Sequence, residues 1–238
     1  MAVSIDPLKR ASSISQGQQA VDSFMRAAST PPIPRRADPV FSFVLHAVFI
    51  MSGASALLYQ LVWQRSLLVL YGSNAESVAI VVAAFLGGLG LGGLAGGAIS
   101  QRTAAPLVLL FSTFELLIGA YGLFSLQIFA WAGEATLHAG IVKTGFLAFA
   151  LVFVPTVLMG ATLPLLVAFR VRSIGHVGRS VSWLYFAYTL GAAGSAFLAP
   201  FIFLRNYGLS GSIDTAVGIN VVAALSILLL WFWRRERA

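Results

Sequence analysis

The chain is 238 residues long, with 58% hydrophobic and only 10% charged residues, and its mean hydropathy is +0.89. A water-soluble globule of this length needs nearer a quarter charged residues to cover its surface, so the composition excludes one and makes the bilayer the natural solvent. The net charge of +7 raises the question of a nucleic-acid partner, and the absence of cysteine removes disulfides, thiolate metal sites and cysteine nucleophiles.

Residues 1–39 form a polar tail unlike the rest of the chain. Ser15 and Gln18 fit a capping box, Ala20, Val21, Phe24, Met25 and Ala28 draw an apolar stripe, and Asp22 and Arg26 pair at i, i+4. This predicts a short amphipathic helix ending at TPPIPRR, where the prolines forbid continuation. The tail lacks the order of a secretory signal. It reads as a solvated or membrane-surface leader, or as an arm that docks on a partner.

The hydrophobic domain, residues 40–233, divides into six apolar runs near 41–63, 76–99, 106–132, 143–170, 181–203 and 213–233. Each supplies the ~20 residues that a membrane helix needs. The fourth carries Pro155, Gly160 and Pro164 and is expected to kink or break there. Trp63, Trp131, Trp183, Trp231 and Trp233 fall near the ends of these runs, where an aromatic belt would sit. Residues 234–238 form a basic C-terminus. The predicted fold is all-α, a polytopic membrane bundle of about six transmembrane helices.

The basic residues orient it. Lys9, Arg10, Arg26, Arg35 and Arg36 of the tail, Arg102, Arg170, Arg172 and Arg179 of alternate loops, and Arg234, Arg235 and Arg237 fall on one side, leaving Arg65, Lys143 and Arg205 on the other. The positive-inside rule then places both termini in the cytoplasm. The basic charge is thereby assigned to membrane orientation and anionic lipid, and no nucleic-acid partner is expected.

The second run contains FLGGLGLGGLAGG (85–97), in which Gly88, Gly90 and Gly93 satisfy the dinucleotide fingerprint G-x-G-x-x-G, with Glu115 22 residues after Gly93. A phosphate loop needs a water-exposed helix start, whereas here apolar helix-compatible sequence continues on both sides. Gly88, Gly92 and Gly96, with Gly93 and Gly97 one residue along, instead make a broad GxxxG stripe for close helix packing.

Four stretches, SGASALLYQLVWQR (52–65), GSNAESVAIVVAAFLGGLGLGGLAGG (72–97), MGATLP (159–164) and GRSVSWLYFAYTLGAAGSAF (178–197), together resemble the membrane region of bacterial spermidine synthase-like proteins. In that family an MFS-like helical region is fused to an aminopropyltransferase domain. The resemblance covers roughly residues 43–232 and implies a bundle like one half of an MFS fold in the bacterial cytoplasmic (inner) membrane. Gln101 stands where the family commonly has aspartate before Arg102, and Tyr188 where asparagine is common before Thr-Leu-Gly-Ala. The chain stops at WRRERA, so the aminopropyltransferase domain, and the enzymatic activity it implies, is expected to be absent.

Glu115 lies near the middle of the third run, where a carboxyl must be protonated, paired or facing a wet cavity. Its functional reading is a proton, ion or substrate site, and its structural reading is a neutral carboxyl bonded to a neighbouring helix. Tyr59, Gln60, Arg65 and Asn220 are the other intramembrane polar candidates, although Arg65 suits snorkelling and the others interhelical hydrogen bonds. His46 reads as a packing or hydrogen-bonding residue. No metal spacing, cofactor motif or nucleophile–base pair is present, so no cofactor and no catalytic residue is expected. The sequence therefore predicts a non-enzymatic accessory or scaffold subunit that packs on protein partners, or on a second copy, through glycine-rich faces. Two alternatives stand beside it: an MFS-half-like dimeric transporter of a polyamine or another small cation, and a membrane anchor for a separate aminopropyltransferase.

Overall fold

The computed structural model describes residues 39–71, 74–102, 106–174 and 177–236, and every element in them is helical. The helices are α1 (Pro39–Tyr71), α2 (Asn74–Arg102), α3 (Leu107–Thr136), α4 (Ile141–Ile174), α5 (Val177–Leu198) and α6 (Leu204–Glu236), with a π-helical turn, Ala199–Phe203, joining the last two. The amphipathic helix expected in the tail lies outside the described residues.

Five stretches are long and apolar enough to cross a membrane: Pro39–Val69, Val78–Arg102, Leu107–Thr136, Val142–Arg172 and Val181–Trp233. The last is 53 residues long. At 1.5 Å per residue it would reach roughly 80 Å, far beyond the ~30 Å hydrocarbon core. It does not run straight. Leu184 and Ala187 of α5 pack with the first half of α1, around Phe41–Phe49, while Ala199 and Phe203 pack with its second half, around Ala56–Leu67. In α6 the order is reversed, with Ile213 and Ala216 on the second half of α1 and Ala223, Ile227 and Leu230 on the first. Thus α5 runs parallel to α1 and α6 antiparallel to it.

The reversal takes place without the nine-residue loop that the sequence suggested between 203 and 213. Backbone stays helical through it, apart from Gly208 at φ 65° and ψ −162°, a region in which essentially only glycine is at ease. Pro200 has no N–H to continue the α ladder, and the wider π turn begins beside it.

The other directions are set by individual contacts. Ile80 meets Gly145, Ala84 meets Thr156 and Ser100 meets Arg172, so α2 and α4 run parallel. Ser52 meets Glu115, Tyr59 meets Gly122 and Trp63 meets Ser125, which makes α1 and α3 parallel as well. Two apolar cores result, one around Tyr59, Trp63, Phe85 and Phe129, the other around Phe41, Phe49, Phe111 and Leu184.

Two expectations change here. The α4 helix neither breaks nor leaves helical geometry at Pro155, Gly160 or Pro164; all three lie inside one 34-residue helix. Pro155 cannot donate to the Leu151 carbonyl one turn back, but the Tyr121 hydroxyl of α3 donates to that carbonyl at 2.7 Å. A neighbouring helix has supplied the missing donor, as lipid surroundings demand. Trp63 does not sit in an interfacial belt. Because α1 continues to Tyr71, its indole is fully buried and Nε1–H donates to Ser125 Oγ at 3.1 Å. Trp131, Trp183 and Trp233 are exposed.

The glycine stripe, expected to pack on a helix of this chain or of a partner, divides. A Cβ at Gly88 would overlap Thr156, one at Gly92 the Val157 carbonyl, and one at Gly96 the Ala161 backbone, so this edge is the seam between α2 and α4. Gly160 answers from α4, where a Cβ would overlap Leu89. Gly93 and Gly97 are not in that seam. One residue along is 100° around a helix, and together with Gly90 they face open space.

Candidate functional site

The buried side of α3 reads Val108, Phe111, Ser112, Glu115, Ile118, Gly119, Gly122, Ser125 and Phe129, a repeat of three and four that faces α1 and α6. Glu115 is therefore not on a lipid-facing stripe. Its residue is 1% exposed, and Oε1 accepts a hydrogen bond from Ser52 Oγ of α1 at 2.6 Å. From α6, Asn220 Nδ2 donates to the Glu115 backbone carbonyl at 3.4 Å, and Gly119 one turn on faces Asn220 and Val217. One acidic residue thus holds three helices.

Ser112 extends the same seam by donating to the Ala224 carbonyl at 3.2 Å, and Ser55 donates to the Ser52 carbonyl at 3.0 Å. Each is a small hydroxyl that lets helices approach while satisfying a polar atom.

Tyr59 lies two turns beyond Ser52 on α1. Its ring stacks on Trp63 at 5.2 Å, and its hydroxyl rests over Gly122, where no side chain fits. The residue is fully buried, and its hydroxyl has no protein partner; neither does Asn220 Oδ1. A polar atom left unsatisfied in an apolar interior costs on the order of 1–3 kcal/mol. Among the described residues Ser66 Oγ and the Arg170 Nε and Nη1 are likewise without a partner, so these two atoms are part, not all, of the buried polar capacity that helix packing does not use.

The sequence candidates separate accordingly. Glu115 and Asn220 come together. Tyr59 lies two turns further along, level with Gly122, Gln60 is partly exposed and Arg65 is exposed at the far end of α1. His46 Nδ1 lies 2.5 Å from the Ser42 carbonyl one turn earlier, a local contact within α1. Among the described residues no group of three or more His, Asp or Glu side chains could hold a metal ion.

Sequence reasoning missed Ser52, the direct partner of Glu115, and the crossing of α1 with α5. At that crossing a Cβ on Gly53 would overlap the Tyr188 carbonyl, and one on Gly191 the Ile50 carbonyl. The run Ser52-Gly53-Ala54-Ser55-Ala56 and the segment Gly191-Ala192-Ala193-Gly194 carried the signal, since small residues in a membrane helix mark close approach. Tyr121 was missed too, because its role exists only through a proline on another helix.

Comparison of the chain with protein-family models, with curated proteins and with solved structures finds no match.

Proposed function

We propose that this chain is a non-enzymatic integral membrane subunit that packs against partner proteins of a larger membrane complex. The observation that carries the reading is the open edge of α2. Gly90, Gly93 and Gly97 lie beside exposed Leu86, Leu91 and Leu94, and no helix of this chain occupies that edge among the described residues. In lipid, apolar side chains gain little by leaving the solvent, whereas small residues gain by close backbone packing. The buried hydroxyls and the carboxyl of Glu115 meanwhile join helices within the chain, a role suited to a rigid scaffold.

In this reading the chain makes six crossings of a bacterial cytoplasmic membrane, α5 and α6 being separate crossings, with both termini cytoplasmic. The resemblance to the membrane region of spermidine synthase-like proteins supports the arrangement as one half of an MFS-like bundle. Solubilisation in a mild detergent should co-purify stoichiometric partners, and a clean monomer would refute the reading.

A second reading is favoured by Glu115 together with the unpartnered Asn220 Oδ1: a dimeric MFS-half-like transporter of a polyamine or other small cation. It requires that Glu115→Gln abolish proton-coupled uptake in proteoliposomes, and retained uptake would remove Glu115 as the coupling residue.

A further inference from the structure

Helix α3 carries two buried glycines, Gly119 and Gly122, within the face it turns to α1 and α6. Cβ positions three residues apart on one helix lie about 5–6 Å from each other. The two notches are filled differently. At Gly122 the Tyr59 hydroxyl of α1 stands 2.7 Å from where a Cβ would be, and its ring takes up the rest. At Gly119 the nearest atoms, Asn220 Cβ and Val217 Cγ1 of α6, are both 3.8 Å from that point. A methyl group would fit there and displace nothing, so a small gap lies between α3 and α6 beside the Tyr59 hydroxyl.

Two polar atoms border this stretch, Tyr59 Oη and Asn220 Oδ1, and neither has a protein partner. Both residues are 0% exposed, so bulk solvent does not satisfy them. The Asn220 amide is fixed by its other atom, since Nδ2 donates to the Glu115 carbonyl one turn before Gly119. Its Oδ1 is thereby held at the level of the gap. A phenolic hydroxyl has a proton to give, and an amide oxygen has lone pairs to fill. The interior thus presents a donor and an acceptor of opposite need, one on α1 and one on α6.

We propose that the gap beside Gly119 binds water, one or two molecules that accept from Tyr59 Oη and donate to Asn220 Oδ1, joining α1 to α6 across α3. Water is small enough for the notch and can do both tasks. Two hydrogen bonds of about 2.8 Å span about 5.6 Å, the separation of neighbouring notches. Buried water in proteins typically makes 2–4 such bonds to groups that packing leaves unpaired. Other occupants fail on one side. An apolar one leaves both atoms unpaired, a bare cation takes the amide oxygen but gives the Tyr59 proton no acceptor, and an anion meets the amide oxygen with like polarity. The water site is independent of both functional readings above, and its test reads neither partner binding nor transport.

The test is the sign of a substitution in the full chain, read from equilibrium unfolding in mixed micelles. Tyr59→Phe should raise the unfolding equilibrium constant about fivefold, because a hydroxyl bonded to water is lost. A dry site demands the opposite, since deleting an unpaired buried hydroxyl stabilises the fold. Gly119→Ala puts a methyl where the water sits, with only 3.8 Å contacts around it, and circular dichroism should show its helices intact. In that background Tyr59→Phe should change sign and become stabilising, a coupling between two residues joined through the water. A crystal structure of the unsubstituted chain from a lipid mesophase should show ordered water within about 3.2 Å of both Tyr59 Oη and Asn220 Oδ1. Stabilisation by Tyr59→Phe alone, an equal cost in both backgrounds, or a Tyr59 hydroxyl bonded to a protein atom in that structure each overturns the proposal.

Discussion

Tyr121→Phe removes one oxygen, and its cost can be worked from the structure. The hydroxyl donates to the Leu151 carbonyl at 2.7 Å, and that carbonyl lost its helical donor because residue 155 is proline. The phenylalanine ring keeps the edge-on contact with Trp63, whose centroid lies 5.8 Å away, so aromatic packing is preserved. What is lost is one interhelical hydrogen bond, up to about 1.7 kcal/mol in membrane proteins, and a carbonyl is left without a donor where water is scarce. The expected destabilisation is about 1–2 kcal/mol, read from equilibrium unfolding in mixed micelles of increasing denaturing detergent. The mechanism makes a sharper demand in a double-mutant cycle. Pro155→Ala restores an N–H one turn after Leu151, so in that background Tyr121→Phe should cost close to nothing. A coupling of about 1 kcal/mol between residues on different helices is the signature. If Tyr121→Phe costs the same in both backgrounds, the hydroxyl is not repairing the proline gap and the reasoning fails.

The remaining predictions test other seams. Gly92→Val should separate α2 from α4 at a cost of about 1–3 kcal/mol, since its side chain would enter the Val157 backbone, and loss of thermal stability in detergent would register it. Gly93→Val should leave that stability nearly unchanged but weaken co-purification of partners; intact partner binding would show that the open edge is lipid-facing only. Ser52→Ala should destabilise the bundle by about 1–3 kcal/mol because the Glu115 carboxyl loses its donor, while Glu115→Gln should cost less, since its amide oxygen can still accept from Ser52. Gly208→Ala should cost about 1–3 kcal/mol through backbone strain alone, there being open space where its methyl would go; an unaffected variant would place the α5–α6 reversal elsewhere.

The linear sequence was enough to identify a helical membrane bundle, because 20-residue apolar runs and sparse charge are properties of composition and need no neighbours. It located Glu115 and Asn220 as anomalies for the same reason: a polar group in a long apolar run stands out by itself. It misplaced the consequences of Pro155 and Trp63, and it could not say which glycine row packs within the chain. Each of those depends on what lies across a seam. Pro155 leaves α4 unbroken because Tyr121 is there to donate, and Trp63 is interior because Ser125 and Tyr59 surround it.

The G-x-G-x-x-G pattern shows the same division of labour. Periodicity alone turned it from a nucleotide loop into a packing face, since apolar helix on both sides leaves no exposed helix start for a phosphate. Which glycines pack was beyond the sequence, because Gly92 and Gly93 are chemically identical and differ only by 100° of rotation. Tertiary contacts gave Gly92 the Val157 backbone and left Gly93 facing outward. They likewise set Glu115 against Ser52 rather than against lipid. Apolar patterning is written along one chain, whereas pairing is a relation between two helices, and only the folded bundle decides which helices those are.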